Sequence, residues 1–156
     1  MHMILLKMFE YQTWADEKLF HFLTQLSEKE MMQNFEKYTS IKDRINHIVI
    51  ALEVWNDRLG GMSPKKLPNY MSETTDKLIE RWRVLNTSLS VYFSSRRPNS
   101  FTYYDSSGNR YKSEHEDIAL HLMNHTTFYR SQIIMMIRLL GYPVENTDYI
   151  YFAREN

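Results

Sequence analysis

The sequence predicts an all-α fold, a four-helix bundle with a small β-hairpin before its last long helix, and three features carry that expectation. Four stretches, each roughly 18 to 28 residues long, place apolar side chains at three- and four-residue steps, the period of a helix buried along one face. The breaks between them collect Gly, Pro, Asn and Ser, which end helices and form turns. One short segment between the third and fourth stretches has strand character, and a lone hairpin needs helices to lie against. Residues 1–156 are expected to form one domain, since a chain of this length buries about 70% of its unfolded surface without staples.

The first helix is predicted over residues 3–25, where Ile4, Leu5, Met8, Tyr11, Ala15, Leu19, Phe22 and Leu26 repeat at helical spacing. Glu10, Asp16 and Glu17 fall mostly off that stripe, and His21 lies beside it as a surface or packing residue. Residues 27–39 form a polar connection with room for a short helical turn. Ser40, with Asp43 three residues on, caps a second helix over Ile41–Leu59 that Gly60 and Gly61 end. Its main stripe is Ile41, Ile45, Ile48, Val49, Leu52, Trp55 and Leu59, and a second face carries His47, Ile50, Ala51 and Val54. Packing on two sides directs His47 toward a half-buried place.

Residues 60–71, with Pro64 and Pro68, read as a loop. A third helix is predicted from about residue 72 to Arg96, with Leu78, Trp82, Leu85, Leu89, Tyr92 and Phe93 as core candidates. Residues 101–105 and 110–112 flank Ser-Ser-Gly-Asn and read as the hairpin. Ser113 and Glu116 have capping-box spacing at the start of the last helix, residues 114–140, which Gly141 and Pro143 close. The aromatic tail, residues 146–152, is expected to pack back on the helices.

Composition removes several classes of function. Lys plus Arg equals Asp plus Glu at 19 each, so no net field draws the chain to nucleic acid or an anionic membrane. Lys65-Lys66 and Arg96-Arg97 are too short for a phosphate track and read as solvated loops. With no cysteine there is no disulfide, thiolate nucleophile or Cys-type zinc site, which fits a reducing compartment. The first nine residues do not read as a signal peptide, and no apolar run approaches the roughly 18 residues of a membrane span. A cytoplasmic protein is expected.

The chemistry concentrates in the last long helix. His121, His125, Tyr129, Gln132 and Met136 fall on one stripe, flanked by Ile118, Leu122, Ile133 and Leu140. A polar stripe within an apolar one must be hydrogen-bonded, hydrated or metal-bound. His121 and His125 have the spacing of two ligands to one metal, and His47 from the second helix completes three. Spacing alone favours instead a hydrogen-bonded cluster of His121, His125, Tyr129 and Gln132. Leu122 stands where a zinc protease places its general-base Glu, which excludes a peptidase. Nucleophile elbows, phosphate-cradling glycine loops and di-iron Glu-x-x-His pairs are missing.

Tyr11-Gln-Thr-Trp14-Ala15-Asp16, the segment from Ser40 to Trp55 centred on Asn46-His47-Ile48, the segment from His121 to Gln132, and the ending from Leu139 to Phe152 together resemble the DinB/YfiT-like family of four-helix-bundle metalloproteins. The likeness spans nearly the whole chain in order. It implies a divalent metal, often nickel or zinc, held by one histidine of the second helix and two of the fourth. His47 matches the first ligand and His125 the second. Tyr129 occupies the third position, and Ser131 stands where the family usually has Gly. A neutral phenol is a weaker ligand than imidazole. The resemblance therefore leaves three arrangements: an inactive site with Tyr129 hydrogen-bonded to a histidine, a site with Tyr129 or His121 as substitute ligand, or a metal-free pocket for an organic molecule that includes His121 and Gln132. Some relatives transfer low-molecular-weight thiols, so one expectation is a metal-dependent thiol S-transferase. The other is a non-enzymatic bundle that binds a small ligand or a partner subunit. The resemblance also implies a homodimer, for which the 14% aromatic content supplies interface side chains.

Overall fold

The computed structural model describes residues 2–36, 39–63, 66–95 and 100–155. Lys65, Pro64, the Arg96-Arg97 pair and Pro98 lie outside them. Helix dominates, in the order α1 (His2–Leu23), α2 (Glu28–Met31), α3 (Ile41–Leu59), α4 (Thr75–Ser94), the hairpin β1 (Ser100–Tyr104) and β2 (Arg110–Glu114), α5 (His115–Leu139) and α6 (Tyr149–Glu155). Helices α1 and α3 each pack against both α4 and α5. Among the described residues, no helix is long and apolar enough to cross a membrane.

Local signals set the helix ends. At the start of α3, Ser40 Oγ accepts from Asp43 N–H at 3.1 Å while the Asp43 carboxylate accepts from Ser40 N–H at 3.0 Å. Such a cap contributes about 1 kcal/mol and fixes the rotation of the helix. Gly141 takes φ +91° directly after the last turn of α5, a conformation open to glycine at no steric cost. The expected Ser113–Glu116 capping box is corrected. Ser113 belongs to β2, opposite Phe101, and its Oγ lies 3.4 Å from the Tyr103 hydroxyl. Glu114 becomes the N-cap, without a side-chain cap bond.

The core forms where the four long helices meet. Leu19, Phe20 and Leu23 of α1, Ile41, Ile45, Ile48 and Val49 of α3, Leu78 and Trp82 of α4, and Ala119, Ile133 and Ile137 of α5 are essentially inaccessible. The buried face of α1 keeps Tyr11, Ala15 and Leu19 of the predicted stripe and widens to Phe9, Gln12 and Asp16, while Ile4 is 70% exposed. Asp16, expected on a solvated face, is wholly buried, because Arg130, Trp82 and Asn86 surround its carboxylate.

The hairpin pairs Phe101 with Ser113 and Tyr103 with Tyr111 and leans on α3, with the Tyr103 ring 5.0 Å from that of Trp55. The tail coils as α6 and packs on α1. Phe152 is 4% exposed against Tyr11 and Ala15, and Trp14 Nε1 donates to Glu155 at 2.6 Å.

Candidate functional site

The α3 cap sends Ile45, Ile48 and Val49 inward and leaves His47 on the rim facing α5. On α5, the row Ala119, Met123, Thr126, Arg130, Ile133 and Ile137 points to the core. His121, His125 and Tyr129, at four-residue steps, then run along the edge nearest α3.

The structure brings together three of the expected residues. His47 Nε2 and His125 Nε2 are 3.1 Å apart, and their rings lie 5.0 Å apart at 28°. The Tyr129 ring packs on both, 4.3 Å from His47 and 4.7 Å from His125. His121 extends the row, 5.6 Å from His125 and 5.5 Å from Trp55. Gln132 is half-buried, and its Oε1 has no hydrogen-bond partner among the described residues. The predicted setting needs correction: His47 and His121 are exposed and His125 and Tyr129 half-buried, so the stripe forms an open face between helices. The helix rotation that buries Arg130 turns these residues outward.

A bond between two Nε2 atoms requires one imidazole to carry its proton there and the other to carry it on Nδ1. Partial burial holds both rings toward the neutral form. It pushes His125 down to about 4, with His47 and His121 adding repulsion. Burial also lowers His47, with Arg44 assisting, and His121, with Arg58 assisting. At neutral pH the face therefore presents neutral imidazoles.

Sequence reasoning missed the flanking cations. Arg44, one turn before His47, places its guanidinium 5.5 Å from the Tyr129 ring. Arg58 lies 4.9 Å from the Trp55 ring and 5.5 Å from that of Tyr103. Both follow from helical spacing relative to His47, but only the neighbouring helix and hairpin show what they cover. Trp55, assigned to the core stripe, is half-buried and lines this face.

Two imidazoles sharing a tetrahedral zinc ion have nitrogens roughly 3.3 Å apart, so the 3.1 Å separation of His47 and His125 suits a common ion as well as a hydrogen bond. The third imidazole is lacking. Among the described residues, no group of three or more His, Cys, Asp or Glu side chains is arranged to hold a metal ion. Two imidazoles converge here, and Tyr129 is the third side chain packed on them.

A cavity of about 560 Å³ lies on the other side of α3, between it and α4, lined by Glu53, Asn56, Asp57, Glu73, Lys77 and Arg81 among others. Among its charges, Glu53, Glu73 and Arg81 engage one another. Tyr70 donates to Glu53 at 2.5 Å, and Arg81 stacks 4.1 Å from the Tyr70 ring and donates to Glu73 at 3.1 Å. Burial and the Glu53 carboxylate push Tyr70 up to about 12. This cavity shares no residue with the histidine face, which carries the convergent chemistry.

Fold and site together define a mostly helical protein with paired histidines facing each other across two of its long helices. The DinB family model matches residues 1–156, and the chain belongs to that family. It is 25% identical over 154 residues to Protein DinB of Bacillus subtilis strain 168, covering 92% of this chain and 90% of that one.

Proposed function

We propose that this chain is a DinB-family four-helix bundle with a degenerate metal centre. His47 and His125 keep the paired geometry, Tyr129 takes the third place, and the face serves to bind a small ligand. The observation that carries the reading is the direct 3.1 Å approach of the two Nε2 atoms under the Tyr129 ring. Two imidazoles and a neutral phenol make a weak set, because metal affinity depends on ligand number and deprotonation. Calorimetric titration of tag-free protein with nickel and zinc tests it. Weak binding that dialysis reverses is expected, with Tyr129→His gaining one tightly held equivalent. One equivalent retained by the unaltered protein after dialysis would overturn the reading.

A second reading makes the face a thiol S-transferase site, with a divalent metal held by His47, His125 and Tyr129 or His121. The nitrogen spacing and the neutral imidazoles favour it, since ligating histidines must be unprotonated. A bound metal would polarise a thiol and stabilise its thiolate. Without one, His125 held near pKa 4 is a poor base for a thiol of pKa about 8.5. Thiol transfer that requires added metal and disappears in His125→Ala would establish this second reading.

We further propose a homodimer. On the outer face of α5, Leu120, Phe128, Met135 and Leu139 are 57%, 57%, 55% and 66% exposed and share one side of the helix. A mass in solution that stays monomeric at every concentration would refute it.

A further inference from the structure

Two arginines bracket the histidine face, and neither forms an ion pair with another described residue. Arg44 lies over Tyr129 at one end, and Arg58 lies over Trp55 and Tyr103 at the other. The Nε of each is buried and has no hydrogen-bond partner, and no ion pair forms between either guanidinium and another described residue. By contrast, Arg81, Arg83 and Arg130 each meet a carboxylate within 4 Å. The side chains between the two arginines are His47, His125, Tyr129, His121 and Trp55, none of them acidic.

A guanidinium stacked on a ring with its Nε buried keeps its outer amino groups as an N–H edge for a planar oxyanion. Desolvating that edge without an acceptor is unfavourable, whereas a carboxylate or phosphate oxygen makes charge-assisted bonds to it. The two arginines stand fourteen positions apart on α3, about 21 Å along the axis at 1.5 Å per residue. A single small anion cannot reach both.

We propose that the histidine face binds an elongated small molecule with acidic groups, carboxylate or phosphate, at both ends, one held by Arg44 and the other by Arg58, its middle lying across the imidazoles. This rests on the reading of the histidine face as the functional site and adds the charge and shape of its ligand. It does not depend on whether a metal is present. Arg44 selects for acid beside Tyr129 and His47, and Arg58 for acid beside Trp55 and His121.

The test uses chelator-treated, full-length protein and, as probe, an ethylene-glycol-linked dicarboxylic acid about 20 Å long, matched to the axial separation, with its diamide as the uncharged counterpart, at fixed ionic strength. Nuclear magnetic resonance follows the Tyr129 ring signals at the Arg44 end and the Trp55 Nε1–H signal at the Arg58 end. The diacid is expected to move both with one shared midpoint on the order of millimolar, and its diamide to move neither. R44Q and R58Q should each weaken the shared midpoint about tenfold at both ends, and R44K should retain part of the response. Inorganic phosphate, run in parallel, ranks the two acid types. Equal shifts with the diamide, no shift with any anion, separate midpoints at the two ends, or an unchanged midpoint in the R44Q/R58Q double variant would overturn the proposal. Metal titration of the same double variant reads the histidines separately, so a failure of the anion sites and a failure of the degenerate-centre reading give different results.

Discussion

Arg130 Nη1 donates to Asp16 Oδ1 at 2.7 Å, with the two side chains 2% and 1% exposed. The other carboxylate oxygen accepts from Trp82 Nε1 at 3.0 Å and Asn86 Nδ2 at 2.9 Å, so one side chain of α1 ties together α4 and α5. Tyr11 accepts from Arg130 Nη2 at 3.3 Å and donates to the Thr147 carbonyl at 2.9 Å, which adds the tail. Arg130 directly follows Tyr129, so its anchoring fixes the rotation of α5 that presents His125 and Tyr129 to His47. Asp16→Ala leaves the guanidinium buried without its counter-charge, and a loss of about 3–5 kcal/mol is expected in urea unfolding. A change below about 1 kcal/mol would show that the network is not needed to hold α5 in place.

The histidine face should make stability depend on acid. Folding lowers His125 from 6.5 to about 4. Between those values the unfolded chain takes a proton that the folded chain refuses. Stability is therefore full above about pH 6.5 and falls as pH drops toward 4, and the downward shifts of His47 and His121 add in the same sense. Urea titrations of metal-free protein across this window should show the decline, and His125→Gln should flatten it. Parallel slopes in variant and parent would contradict the assignment.

The tail should behave as a structural element. Phe152 is 4% exposed in a nest of rings, 5.8 Å from both Tyr11 and Trp14. Phe152→Ala removes that packing and should cost about 3–5 kcal/mol, read as a lower melting temperature. Amide exchange should speed up first in α6 and the facing turn of α1.

The outer face of α5 should control assembly without supporting the fold. Phe128 is 57% exposed, so Phe128→Lys is expected to change unfolding free energy by less than about 0.5 kcal/mol. The same substitution should shift a dimer to monomer by light scattering. A dimer that survives it would place the interface elsewhere.

Much of the fold was legible because it depends on local rules. Ile41–Leu59 matches the predicted second helix end to end, since Ser40, Asp43 and Gly60 state its limits in the sequence. The hairpin followed from turn chemistry at Asp105, whose carboxylate accepts from Ser107 and Asn109 N–H groups. The pairing of His47 with His125 was legible through family resemblance, and through spacing only for the two positions on one helix. Ser113 misled because its spacing to Glu116 is right for a cap while strand pairing with Phe101 claims it first. Asp16 misled because a charged residue off an apolar stripe looks solvated until a buried arginine from a distant segment meets it.

By itself, then, the sequence determined where helices start and stop, that one hairpin interrupts them, and which side chains on α5 share an edge. These follow from backbone preferences and a 3.6-residue period, which act over a few neighbours. Only the tertiary structure decided how far each helix is rotated about its axis. That rotation is set by the best joint packing of four helices and by the Asp16–Arg130 pair, neither of which any single segment encodes. It turned the histidine row from the interior to an open face and left Arg44 and Arg58 at its two ends.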